Sequence, residues 1–182
     1  MRIEKTDIEG LLVIEPKIFR DERGYFYESY NQQQFENNQL ETDFVQDNQS
    51  KSVRGVVRGL HYQLNPYAQT KLVRVLQGVI FDVAVDIRKD SPTYGNWFGL
   101  ELSEENMKQL LIPGGFAHGF SVLSDTAVVF YKCDQFYNPG HERGIRLDDP
   151  DLGIDWKIRK DEMIISSRDS ELPSFAEADM NF

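Results

Sequence analysis

The chain has 182 residues, with 20 Lys plus Arg against 30 Asp plus Glu, a formal net charge of −10. That length fits one compact domain, and the 40% hydrophobic, 12% aromatic content is enough for a core, which excludes wholesale disorder. The acidic balance argues against nucleic acid or an anionic membrane as partner, because both need a basic face. A small anionic ligand needs only a local cluster of cations and stays open. The one cysteine, Cys133, excludes a disulfide within the chain and a thiolate zinc site. Residues Met1 to Gly10 are charged, so no signal peptide is expected, and no run approaches the roughly 18 apolar residues of a membrane span. A reducing cytoplasm is the expected compartment.

Taken in chain order, Asn31–Gln39 is polar and rich in helix formers, and is the first helical candidate. From there, short apolar segments dominate. In Val79–Ile87, Val79, Phe81, Val83, Val85 and Ile87 share one face, while Ile80, Asp82, Ala84 and Asp86 share the other. This period of two reads as a strand with one face packed and one partly polar. Leu72–Leu76, Gly119–Leu123 and Ala127–Cys133 read the same way. Ser103 caps a predicted short helical turn through Met107. Turn signals stand at Asn65-Pro66, Ser91-Pro92, Pro113-Gly114-Gly115 and Asn138-Pro139-Gly140. The pattern predicts an all-β protein with a few short helices, most economically a two-sheet jelly roll.

Three histidines can be weighed. By strict alternation Arg58 and His61 point to opposite faces, but Gly59 between them is a natural bulge position, and a bulge would turn both to one side. His61 is then either a satisfied strand histidine or a titrating group near neutrality. His118 follows the Pro-Gly-Gly turn at the start of an apolar strand, where packing is the commoner role. His141, after Asn138-Pro139-Gly140, reads as solvated. Neither His61 nor His118 has the partners for a closed metal set.

Lys71 shares a face with Val73 and Val75, so it looks inward while Arg74 looks out; an inward ammonium needs an anion, either a carboxylate or a ligand. Tyr131 shares a face with Val129 and Cys133. Asp169 reads either as a turn carboxylate or as a partner that orients a histidine. There is no GxSxG elbow, P-loop or GxGxxG, so nucleophilic catalysis, nucleotide hydrolysis and a Rossmann cofactor lack support.

Several stretches together carry a resemblance. They are Asp21-Glu22-Arg23-Gly24-Tyr25-Phe26-Tyr27-Glu28, Phe44 to Ser50, Arg58-Gly59-Leu60-His61-Tyr62-Gln63, Lys71-Leu72-Val73-Arg74-Val75, Phe81 to Arg88, Pro113 to Phe120, Tyr131-Lys132 and Asp148-Asp149-Pro150. In this order, from about residue 20 to Pro173, the chain resembles the dTDP-4-dehydrorhamnose 3,5-epimerase family. Leu147, where the family often has Trp, and Lys157, where Pro is common, depart from the pattern.

The resemblance implies a cupin-like double-stranded β-helix over residues 1–182, one domain with N- and C-terminal extensions packed on the barrel. It implies a homodimer that uses no metal and no organic cofactor. His61 matches the proton acceptor, Tyr131 the proton donor, Asp169 the carboxylate orienting the base, and Lys71 the cation beside the developing enolate. Arg23, Glu28, Gln46, Asp47, Asn48, Arg58, Lys71, His118, Glu142 and Arg168 match positions lining a dTDP-sugar site, some of them supplied across the dimer. Thymine is expected to stack on Phe26 or Tyr27, with Gln46 or Asn48 at its edge. Arg23, Arg58, Lys71 and Arg168 are expected to converge on one pocket. The implied reaction inverts C3 and C5 of dTDP-4-dehydro-6-deoxy-D-glucose. Other readings are an epimerase acting at only one of the two carbons, a ketoisomerase on another dTDP-sugar, a binding barrel without turnover, and a metal-dependent oxygenase.

Overall fold

The computed structural model describes residues 1–40 and 42–182. Its strands are β1 (Arg2–Lys5), β2 (Leu12–Glu15), β3 (Phe19–Asp21), β4 (Gly24–Phe26), β5 (Gln46–Val53), β6 (Val57–Gln63), β7 (Lys71–Gln77), β8 (Val79–Asp86), β9 (Trp97–Ser103), β10 (Gln109–Ile112), β11 (Phe116–Val122), β12 (Thr126–Cys133) and β13 (Glu142–Gly144). Two short helices accompany them, α1 (Gln32–Asn37) and α2 (Ser167–Ser170). One antiparallel sheet runs β1-β2-β10-β7-β12-β5 and the other β13-β6-β11-β8-β9, while β3 and β4 form a separate hairpin. The two larger sheets face each other in a cupin-like jelly roll.

Period-two alternation sorts the core into layers. Val73 and Val75 of β7, Ile80 and Ala84 of β8, Phe116 and Phe120 of β11, and Val129 of β12 fill the space between the sheets. The opposite face of β8, with Val83 and Val85, is covered by the C-terminal segment through Ile145, Leu147, Leu152, Trp156 and Met180. Phe35 of α1 covers Ile14, Leu72 and Leu111 on the outside of the first sheet. Each such side chain, once buried, contributes on the order of 2 kcal/mol. That is why the segment after β13 holds its course with almost no regular structure.

Two local expectations change. Strand β8 is packed on both faces rather than one: Asp82 and Asp86 are fully buried. The phase that looked partly polar is the barrel interior, where Asp86 accepts from Arg88, Ser91 and Thr93 and Asp82 Oδ1 lies 2.7 Å from His118 Nε2. Ser103 caps no helix; its Oγ accepts from the Asn106 N–H in a turn that ends with Met107 at φ 53°. That left-handed conformation stops a helix before it starts.

Lys157 also sits at φ 60°, with its N–H donated to Asp155 Oδ1. A proline ring fixes φ near −65°, so in this chain the turn after Trp156 is built for a residue other than Pro. Leu147 is buried beneath that turn and accepts the Trp156 Nε1–H through its carbonyl at 2.7 Å.

Candidate active site

The site begins at a bulge. Between two register pairs, His61↔His118 and Arg58↔Phe120, strand β6 spends one residue more than β11. Gly59 takes φ +125° there. A Cβ on Gly59 would stand 2.6 Å from the Gly119 Cα, and one on Gly119 would stand 2.6 Å from the Arg58 carbonyl oxygen. Only two glycines face to face allow this approach. The result is that Arg58 and His61 line the same cleft of about 580 Å³.

The two sheets supply its two walls. From the β6–β11 side come Arg58, His61 and His118; from the β7–β12 side come Lys71 and Tyr131; Arg168 and Asp169 close one end from α2. Lys71 faces inward as expected, on the same phase as Val73 and Val75. Its Nζ lies 5.9 Å from the Tyr131 ring centroid. No carboxylate of the described residues forms an ion pair with it, and burial pulls its ammonium below the usual range, opposed by the nearby Cys133, Asp82 and Glu142. Burial also raises the Tyr131 phenol, Cys133 adding to this and Arg58 opposing it. Tyr131 therefore carries its proton near neutral pH.

Two histidine–aspartate pairs face the cleft. His61 Nε2 lies 2.8 Å from Asp169 Oδ1, and the Gly59 N–H donates to Asp169 Oδ2 at 3.3 Å. Burial works to raise the Asp169 carboxyl, but the bonds from His61 and Gly59 outweigh it and hold it below the usual range. An ionised carboxylate only accepts. The His61 Nε2–H therefore donates to it. Asp169 is placed by its own cap, since its N–H donates to Ser166 Oγ at the start of α2. The second pair is His118 Nε2 with Asp82 Oδ1, 2.7 Å apart.

At the mouth, Glu142 accepts from Arg168 and from the Tyr137 hydroxyl, each at 2.5 Å. Burial raises the Glu142 carboxyl, and these two donors more than compensate. Gln46 Oε1 accepts the Tyr137 N–H, Gln46 Nε2 donates to Asn48 Oδ1, and Asn48 Nδ2 donates to Cys133 Sγ. Gln46, Asn48 and Ser50 share one phase of β5, and Ser50 lines the cleft. Ser52, on the same phase, accepts from Arg58 Nε.

Three expected lining residues are elsewhere in this chain. Asp47 lies on the opposite phase of β5, where it pairs with Lys132 at 2.8 Å. Arg23 is on the exposed β3–β4 hairpin, bonded to Asp21 and lining a separate depression. Within one chain three of the four expected cations, Arg58, Lys71 and Arg168, line the cleft, while Arg23 stands on the hairpin beside a separate depression. Glu28 accepts from Asn31 and Gln34 beside α1, in a different pocket. Phe26 stands on the same hairpin, 67% exposed, and Tyr27 Oη accepts from Arg74 on the outer face of β7. His141 is half-buried with its ring tilted against Tyr67, centroids 4.4 Å apart, rather than standing free in solvent.

Asp82 and Tyr137 were missed from the sequence. An aspartate at the centre of an apolar strand phase was a usable signal for Asp82. Tyr137 follows Phe136 in a loop, and nothing local marks it.

The family model described as dTDP-4-dehydrorhamnose 3,5-epimerase matches residues 5–177. A curated relative of that name from Methanothermobacter thermautotrophicus is 55% identical over 169 residues, covering 92% of this chain and 91% of its own. The crystal structure of the Elizabethkingia anophelis dTDP-4-dehydrorhamnose 3,5-epimerase superposes with a TM-score of 0.94 at 52% identity, covering 97% of both chains. A Legionella pneumophila dTDP-6-deoxy-D-glucose-3,5-epimerase, solved with dTDP-4-keto-L-rhamnose, gives a TM-score of 0.93 at 49% identity, covering 98% of this chain and 94% of that one. The chain belongs to the dTDP-4-dehydrorhamnose 3,5-epimerase family.

Proposed function

We infer that the cleft inverts C3 and C5 of dTDP-4-dehydro-6-deoxy-D-glucose to give dTDP-4-dehydro-L-rhamnose, a step in dTDP-L-rhamnose biosynthesis. The observation that carries this is the His61–Asp169 pair on one wall, opposite Lys71 and Tyr131 on the other. Both hydrogens to be moved are α to the C4 ketone. Inversion removes a proton from one face of the ring and returns one to the other, so a base and an acid on opposite walls are the minimum set.

His61 is the base. Asp169 fixes its tautomer and stabilises the imidazolium after proton capture. Lys71 faces the enolate oxygen, and a preorganised donor of this kind is worth on the order of 3 kcal/mol in the barrel's water-poor interior. Tyr131, kept protonated, returns a proton from the far wall. His118, Gln46, Asn48 and Glu142 line the sugar-nucleotide path, and Arg58 and Arg168 meet the diphosphate. No redox partner is required by this chemistry.

The functional unit is a homodimer. Phe19, Tyr25 and Phe26 on the β3–β4 hairpin are 54%, 56% and 67% exposed, a large apolar surface for one chain to leave in water. A second copy that takes up this hairpin would bring Arg23, and with it Glu28, toward the neighbouring cleft. A reducing cytoplasm suits a chain whose one thiol is buried and unpaired.

The test is incubation with dTDP-4-keto-6-deoxyglucose in heavy water, followed by NMR. Deuterium at both C3 and C5 with the L-configured product is expected; deuterium and inversion at one carbon alone would replace this reading with that of a single-centre epimerase.

A further inference from the structure

Arg168 and Asp169 are neighbours in α2, and both line the cleft. Asp169 orients His61, and Arg168 is the cation assigned above to the diphosphate. The segment that carries them is loosely built into the fold. On its N-terminal side, Ile164 gives its N–H to the Gly55 carbonyl and accepts the Val57 N–H. On its C-terminal side, the Pro173 carbonyl accepts the Arg146 N–H. Between these anchors, residues 165–171 are exposed apart from Asp169. Among the described residues, their backbone bonds stay within the segment. The polar ties from this stretch to the barrel are two side chains. Asp169 holds His61 and the Gly59 N–H, and Arg168 pairs with Glu142 of β13 at 2.5 Å.

We propose that Arg168 is a positioning residue for the base as well as a phosphate contact: held by Glu142 in the free protein and by the substrate's diphosphate in the complex, it keeps α2 docked and so keeps Asp169 on His61. The inference rests on the epimerase reading above. The diphosphate then contributes to the rate of proton transfer and not to affinity alone, because binding of a remote, unreacting part of the substrate secures the geometry at the reacting centre. Glu142 is the stand-in anion. A guanidinium carries five N–H donors, and Glu142 meets this one through Nη2, so a diphosphate can join or replace the carboxylate while α2 stays in place.

The energetics favour such a device. A short segment with exposed backbone and few buried groups opens locally at little cost. The one side chain that 165–171 buries is the Asp169 carboxylate, whose loss of hydration works against docking. A second tie on the adjacent residue therefore shifts the balance toward the docked state. The Arg168–Glu142 pair leaves 60% of the Arg168 side chain and 15% of the Glu142 side chain exposed, so it is a weak tie. A diphosphate carries more charge and matches the guanidinium fork, so it is a stronger one. Arg58 differs in its setting: it stands on β6, within the sheet, and a phosphate contact there leaves α2 untouched.

The experiment splits the substrate in two. Solvent deuterium entry into the methyl glycoside of 4-keto-6-deoxyglucose, which lacks the diphosphate, is measured with and without inorganic pyrophosphate, for wild type and Arg168→Gln. In the wild type, pyrophosphate should raise the rate by about 100-fold; in Arg168→Gln it should not. With the intact dTDP-sugar, Arg168→Gln should lower kcat as well as raise KM. A wild-type kcat with only a raised KM would overturn the proposal, as would a wild-type rate on the glycoside that ignores pyrophosphate, since both are marks of a plain phosphate contact. Backbone hydrogen exchange over 165–171 provides a readout that needs no turnover. Pyrophosphate should slow it in the wild type and not in Arg168→Gln. Glu142→Gln should speed it in the free protein and return to the wild-type rate in saturating pyrophosphate. Exchange that pyrophosphate does not change in the wild type would overturn the proposal. A wild type that turns over neither substrate, yet shows the expected exchange pattern, would defeat the epimerase reading and leave the coupling of Arg168 to α2 standing.

Discussion

His61 Nε2 and Asp169 Oδ1 lie 2.8 Å apart across 108 residues of sequence, and the second oxygen of the same carboxylate holds the N–H of Gly59. One side chain from the C-terminal segment therefore fixes both the base and the bulge that aims it. The barrel provides the wall, and the tail provides the tautomer. This coupling makes the reaction sensitive to residues after β13 even though those residues have almost no regular structure.

Replacing Asp169 by Asn tests the coupling. The amide can present either its oxygen or its NH2 to His61, and it no longer stabilises an imidazolium. A loss of at least about 100-fold in kcat is expected, with substrate affinity little changed. His61→Ala removes the base itself, so solvent deuterium should no longer enter C3 or C5. Full exchange in His61→Ala would show that another group takes the proton.

Lys71→Met nearly keeps the length of the side chain beside the Tyr131 ring but removes the charge. An effect of about 3 kcal/mol on the barrier, near 100-fold in kcat, is expected. Single-turnover kinetics separate this from a binding defect. A variant that loses affinity while turning over bound substrate at the wild-type rate would assign Lys71 to binding alone.

Tyr131→Phe removes the proton that burial keeps on the phenol. Exchange at one centre is expected to persist, because His61 and Lys71 remain, while inversion fails for want of a donor on the far wall. NMR of recovered substrate reads both. Loss of substrate binding with no defect in exchange or inversion would make the tyrosine structural.

Four central strands, β7, β8, β11 and β12, are legible in the sequence because the period of two is a local property. Val79–Asp86 and Thr126–Cys133 can be read without knowing their partners. The bulge at Gly59 was legible for a similar reason, since a glycine between two functional residues on a strand is itself a signal. The polarity of β8 was misread because alternation tells which residues share a face and not what covers that face. Asp47, Arg23 and Glu28 were placed by resemblance, and resemblance records a position along the chain. Alternation on β5 turns the Asp47 side chain to Lys132, and the β3–β4 hairpin leaves the barrel altogether. Asp82 was passed over because a buried carboxylate becomes conspicuous only when its neighbours are known.

Gly59→Ala should damage fold and site together. The new Cβ meets the Gly119 backbone at 2.6 Å, and φ +125° is closed to an L side chain. A destabilisation of about 3 kcal/mol or more is expected, readable as a lower urea midpoint. Any folded fraction should show a displaced His61. Wild-type stability would mean that β6 can lose its bulge at no cost.

Asp86 sets an acid limit on stability. Its carboxylate is fully buried and accepts from Arg88, Ser91 and Thr93. Burial alone would raise its pKa, yet these donors bring it down to about 2 from the ordinary 3.8. A carboxyl whose pKa is depressed on folding adds stability above its unfolded value and loses it as pH falls through its folded value. The contribution is therefore complete above about pH 5 and declines between about pH 4 and pH 2, by roughly 2 kcal/mol in all. Asp86→Asn should lower Tm at pH 7 and flatten the fall in Tm between pH 4 and pH 2.5. An Asn variant that follows the wild-type acid profile would place the acid-sensitive group elsewhere, with Asp169 the next to examine, since it too is held below its ordinary range.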